Sequence, residues 1–140
     1  MSGKREDCRV LDDLLVGAPD WATRFARFDA LRREDTAAIA RMAIENYTEM
    51  RDTVRDPSFA LQKELSLELE RRHPERFIPR YSMVMFHAEI PYAEAERRGA
   101  IQAGLLDAAT RGCARLADVD LPRLEATIAE RLAPITPPGA

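Results

Sequence analysis

Cysteine is scarce in this chain: Cys8 and Cys113 are its only two, far apart in sequence. No apolar segment of the signal-peptide kind precedes them, so no disulfide framework organises the fold and a reduced, cytoplasmic protein is expected. Histidine is equally sparse, with only His73 and His87, and these show none of the close ligand spacings of zinc or iron sites with the cysteines. No metal is expected. No run approaches the roughly 20 consecutive apolar residues of a membrane span, which argues against a membrane home. A basic block is missing too, because 21 Lys and Arg are interspersed with 24 Asp and Glu for a formal net charge of -3. Nucleic acid is thereby excluded as an expected partner. Finally, the six glycines never form Gly-x-Gly-x-x-Gly, the turn that lets a backbone approach a dinucleotide pyrophosphate.

What is present is an ordinary globular balance, 46% hydrophobic against 32% charged residues in 140. One helical domain over residues 1–133 is expected, followed by a flexible proline-rich tail over 134–140. The class is all-α, with five to six helices and room for one short extended segment, because apolar spacing is helical almost throughout. A first helix runs from about Arg5 to Val16 and stops at Gly17-Ala18-Pro19. Asp20 caps a short second helix carrying Trp21, Phe25 and Phe28, and Asp35 caps a third. In that third helix Ile39, Met42, Ala43, Asn46, Met50 and Val54 share one face. Asp56-Pro57 starts a fourth, with Phe59, Leu61, Leu65 and Leu69 spaced for burial, and His73-Pro74 ends it. The apolar stretch Met83-Val84-Met85-Phe86 reads as a buried extended segment or a loop lining a pocket. A long helix from near Pro91 aligns Ile101, Leu105, Ala109, Cys113 and Leu116. Gly99, Gly104 and Gly112 weaken it by up to about 1 kcal/mol each relative to Ala unless close packing requires them. Asp120 caps a last helix with Leu121, Leu124, Ile128 and Leu132.

Three polar residues draw attention. Asn46 interrupts an apolar stripe, where a buried amide without partners costs about 1–3 kcal/mol. A neighbouring backbone carbonyl or a ligand can answer it, and the residues leave both open. Glu49, one turn away, either pairs with an arginine such as Arg80 or Arg51, or takes a pocket role as general acid or base. His87, after an apolar run, is a catalytic candidate only if a partner lies within hydrogen-bond reach, and otherwise a satisfied core or rim residue.

The segments Asn46-Tyr-Thr-Glu-Met50, Phe77-Ile-Pro-Arg-Tyr81-Ser-Met-Val-Met-Phe-His87 and Ile90-Pro-Tyr-Ala-Glu-Ala95 together resemble the C-terminal, substrate-side region of the kynurenine 3-monooxygenases, FAD-dependent aromatic hydroxylases. Glu6-Asp7-Cys8 with Leu11-Asp12-Asp13-Leu14-Leu15 is similar to the helix that follows the flavin-cradling glycines in that family. The resemblance spans Glu6 to about Gln102, and it implies that Asn46, Met50 and Tyr81 line the wall of a substrate pocket. It equally implies a half-enzyme, since the FAD-binding domain and the family's carboxylate-gripping arginine and tyrosine are missing from this sequence. At His87 the family commonly has a small polar residue, a departure from its pattern. FAD is expected only through a partner chain.

Those side chains suit a kynurenine-like aromatic aminoketone: Asn46 donates or accepts, Tyr81 hydrogen-bonds while packing its ring, and Met50 moulds around an aromatic face. Three functions follow as expectations. The first is a freestanding substrate-side module that binds such a ligand, docks on a flavoprotein or pairs with itself as a homo-oligomer. The second is a cofactor-independent isomerase, cyclase or lyase using Glu49, Tyr81 or His87. The third is an inactive remnant or structural fragment.

Overall fold

The computed structural model describes residues 2–17, 20–52 and 56–135. Among them are six α-helices and one 3-10 turn, and no strand. The all-α expectation holds. Helix α1 (Ser2–Gly17) lies against α2 (Trp21–Asp52), and α3 (Pro57–Arg72), the short α4 (Arg80–Phe86) and α5 (Tyr92–Thr110) follow. The 3-10 turn (Leu116–Asp118) and α6 (Leu121–Arg131) complete the order. Helix α5 is the hub, packing against α2, α3, α4 and α6.

The predicted second and third helices are one. Asp20 caps as expected, its carboxylate accepting from the Thr23 N–H at 2.9 Å. Helix α2 then runs unbroken through Asp35 for 32 residues, about 48 Å at the α-helical rise. Asp35 caps a different helix. Its Oδ1 accepts from the Ala93 N–H at 2.9 Å, in the first turn of α5, whose own preceding residue Pro91 offers no side-chain cap. The other oxygen takes Arg32 at 3.1 Å, and buried Arg32 also reaches Asp7 of α1 at 2.7 Å. One aspartate therefore fixes α5 on the middle of α2 while helping to hold α1.

Helices α3 and α6 begin where Asp and Pro place them. Asp56 accepts from the Ser58 N–H at 2.9 Å, and Asp120 from the Arg123 N–H at 3.2 Å. His73 closes α3 by donating its N–H to Leu69 O at 2.8 Å. The stretch read as extended or loop is helix α4. Pro79 O accepts from the Met83 N–H at 3.0 Å, and Met83 is fully buried, which anchors a helix too short to stand alone. Helix α5 also ends earlier than its apolar spacing suggested. It stops at Thr110, because Gly112 adopts φ 78°, a left-handed turn that carries Cys113 and Leu116 off the helix.

Two apolar clusters meet at consecutive residues. Phe77 joins Leu65, Leu69, Leu105, Ile128 and Leu132 in the larger, whereas Ile78 joins Ala38, Met42, Met83, Ile90 and Ala95 in the smaller. At the C-terminal end, the Ile135 N–H donates to Glu75 O at 2.7 Å and its side chain packs on the smaller cluster. Ala18, Pro19, Val54 and residues 136–140, on which a helix stop, the end of the α2 stripe and most of the predicted tail were read, lie outside the described residues. None of the described helices is long and apolar enough to cross a membrane.

Candidate ligand groove

Helices α2, α3, α4 and α5 enclose an open groove of about 920 Å³. Asn46, Met50 and Tyr81, singled out in sequence, all line it, as does Glu49. Asn46 is not buried in a stripe, as its neighbours suggested, but exposed on the groove wall. The stripe is covered at Ala38 and Met42, and beyond Met42 the opposing surface recedes to leave the hollow. No internal carbonyl is needed for Asn46 there. Its Nδ2 lies 3.7 Å from Met50 Sδ, a weak acceptor one turn on, so its hydrogen-bonding capacity is largely unspent.

Tyr81 reaches the same groove from α4 because Arg80 clamps α4 to α2. The Arg80 guanidinium pairs with Glu45 and lies 3.5 Å from Glu49. The ion pair expected between Glu49 and Arg80 is present, and Glu49 lines the groove as well. The clamp needs a glycine on α5, since a Cβ at Gly99 would fall 2.6 Å from Arg80 Cδ and 3.1 Å from its Cβ. Close packing thus accounts for Gly99, but not for Gly104, around which there is open space.

A second tie runs from α2 to α5, where Arg41 donates to both Glu96 oxygens at 2.6 and 2.7 Å. Those hydrogen bonds hold the Glu96 carboxyl below its ordinary pKa. Four of the wall's charged groups, Glu45, Glu49, Arg80 and Glu96, are thus held in ion pairs. Lys63 of α3 adds a cation to a lining otherwise made of apolar or neutral residues such as Met42, Phe59, Val84, Leu106, Gln62, Ser66 and Gln102.

His87 is not among the lining residues. It closes α4, its N–H donating to Met83 O at 3.2 Å, and its Nδ1 lies 2.8 Å from Glu89 Oε1. Glu89 is held below the ordinary carboxylate range by its own backbone N–H and then by His87. The partner that a catalytic histidine requires is present, but the pair lies at the end of α4 rather than with Asn46, Met50 and Tyr81.

Several polar groove residues are not marked by the sequence, Glu45 and Gln102 among them. Glu45 sits one position from Asn46 yet became visible only through its pairing with Arg80. Gln102 was passed over inside the α5 apolar pattern, although its place three residues after Gly99 and three before Leu105 marks it as a polar group on a buried face.

No family model matches the chain. It is similar to curated kynurenine 3-monooxygenases. That of Xanthomonas axonopodis pv. citri is 48% identical over 130 residues, 93% of this chain and 28% of that protein. That of Stenotrophomonas maltophilia is 50% identical over 127 residues, 91% of this chain and 28% of that protein. That of Xanthomonas oryzae pv. oryzae is 46% identical over 130 residues. The chain thus spans little more than a quarter of the length of the curated relatives it matches.

Proposed function

We propose, from the premise that this chain is homologous to the C-terminal region of the kynurenine 3-monooxygenases, that it is a substrate-side module. It holds a kynurenine-like aromatic aminoketone in the groove and acts with a partner flavoprotein that supplies the FAD. The observation that carries this reading is convergence: Asn46 and Met50 on α2 and Tyr81 on α4 open into one hollow although α3 intervenes in the chain.

The chemistry of the wall supports it. A flat aromatic ring fits between Met50, Tyr81 and Phe59, while the Asn46 amide remains available for an aromatic amine or ketone. Exposure supports the partner. Met50 and Tyr81 are 68% and 64% exposed on the groove rim, so the rim is uncovered on one side. At the other end, Trp21 and Phe25 stack with ring centroids 5.7 Å apart and are both exposed. Apolar surface of this kind tends to mark an interface.

The test combines a thermal-shift screen with a mixing experiment. Kynurenine or a related aminoaryl ketone is expected to raise the unfolding midpoint, by stabilisation of about 2.7 kcal/mol at a hundredfold excess over Kd. A flavoprotein lacking this region is expected to co-elute with the chain and keep its yellow colour. A monomer by light scattering that binds no flavoprotein and is stabilised by none of these ligands would remove the proposal.

A further inference from the structure

Buried polar groups in folded proteins nearly always have partners, so each exception calls for a cause. Among the described residues three buried side-chain atoms have none: His73 Nε2, Arg98 Nε and Gln102 Nε2. The first two have local explanations. His73 Nε2 lies 3.3 Å from Glu125 Oε1. Arg98 is otherwise engaged, donating from Nη2 to Arg76 O at 2.6 Å and facing Glu94 at 3.7 Å. Gln102 differs, because it is only 4% exposed, its amide nitrogen is unpartnered, and it lines the groove.

Several neighbouring polar groups are already committed, while Lys63 and Ser66 of α3 also line the groove. Gln62 donates to Thr110 Oγ1 at 3.4 Å, and Thr110 donates in turn to Leu106 O at 2.8 Å. Arg80 is taken by Glu45 and Glu49, and Glu96 by Arg41. What the floor of the groove offers is a neutral donor next to Gly99 and Leu106. Such a donor matches an uncharged acceptor such as a ketone oxygen, whereas a carboxylate would turn to Lys63, the lining residue of α3 that carries a positive charge.

We infer that Gln102 is a substrate-positioning residue whose amide donates to a carbonyl oxygen of the bound ligand, selecting an aryl ketone over its carbonyl-free counterpart. This rests on the aromatic-ligand reading of the groove and adds to it the atom that reads the ketone. Asn46 is left for the amine, so the two amides would fix the ring's orientation from opposite walls.

Two probes differing only at the carbonyl test it, 2-aminoacetophenone and 2-ethylaniline, followed by proton–nitrogen correlation spectra of the whole chain. The Gln102 side-chain amide pair is assigned by its loss in Gln102→Met, with Gln102→Leu as a second variant should the first not fold. The ketone is expected to move that pair downfield and the ethyl compound to leave it in place. Gln102→Met is expected to weaken the ketone about tenfold and the ethyl compound by less than about twofold. Without ligand, the variant's unfolding midpoint is expected to rise, because an unpaired buried amide has been removed. A fall would mean that the amide has an internal partner, against the inference. Ketone-induced shifts at the backbone amides of Asn46 and Tyr81 without movement of the Gln102 pair, or equal weakening of both probes, would overturn it while leaving the aromatic reading standing. Shifts nowhere in the groove with either probe would remove both.

Discussion

The two apolar clusters are built from adjacent residues and end in opposite circumstances. Phe77 and its neighbours Leu65, Leu69, Ile128 and Leu132 are sealed, each at 1% exposure or less. The cluster of Ile78, Met42 and Met83 is smaller, and the groove begins at its edge, where Met42 and Val84 contribute to the lining. One region is closed around side chains of its own, and the other stops short of closing. Stability belongs mainly to the first, because sealed volume cannot be lost without a cavity. The proposed recognition surface lies at the second, where exposed Asn46, Met50 and Tyr81 contribute little to folding.

Phe77→Ala breaks this comparison most severely. It is expected to cost about 3–5 kcal/mol in denaturant unfolding, as a cavity among sealed neighbours does. Asp35→Ala comes next, at about 1–3 kcal/mol, because it removes the first-turn cap of α5 together with a carboxylate from buried Arg32. Hydrogen exchange is expected to rise first in the amides of Ala93 and the residues beside it.

Smaller effects sharpen the contrast within one helix. Gly104→Ala is expected to stabilise by up to about 1 kcal/mol, since it gains helix propensity in open space. Gly99→Ala is expected to lose that gain by displacing Arg80, and to weaken ligand binding with it. Equal stabilisation by both, measured by chemical denaturation, would mean that Arg80 does not need the glycine.

The acid limb is the mildest probe. Hydrogen bonds from Arg71 and Arg72 bring the Glu68 carboxyl to about 2, and the backbone N–H groups of Thr23 and Ser58 lower Asp20 and Asp56. Carboxylates with depressed folded pKa values stabilise fully above the ordinary range near 4.5 and lose that contribution as pH falls toward 2. Glu68→Gln is expected to make stability less steep between those limits and to leave ligand affinity at neutral pH unchanged.

The sequence was most legible where local chemistry suffices. Asp56-Pro57 and Asp120 mark real helix starts because an Asx carboxylate two or three residues ahead needs nothing from the rest of the fold. Asp35 has the same local look and misleads, since nothing local says that its carboxylate serves the Ala93 N–H of a helix 58 residues away. Helix α4 was missed for a related reason: it has no side-chain cap and depends on burial of Met83. The stop of α5 was hidden in the φ of Gly112, which apolar spacing does not report.

At the groove, the resemblance supplied Asn46, Met50 and Tyr81, but their exposure was not legible. Periodicity identifies a face and is silent on how far the opposing surface extends. Gln102 shows the converse limit. A polar residue among Ile101 and Leu105 is visible in the letters, and only packing reveals that its amide is left without a partner.

Calorimetric titration of the chain with kynurenine tests the groove most directly, comparing the unaltered protein with Asn46→Ala and with Trp21→Ala as a control at the far end of α2. The expected result is saturable binding that Asn46→Ala weakens by about tenfold or more, with the unfolding midpoint unmoved and Trp21→Ala indistinguishable from the parent. No saturable heat with the unaltered chain, or equal affinities for all three proteins, would contradict it.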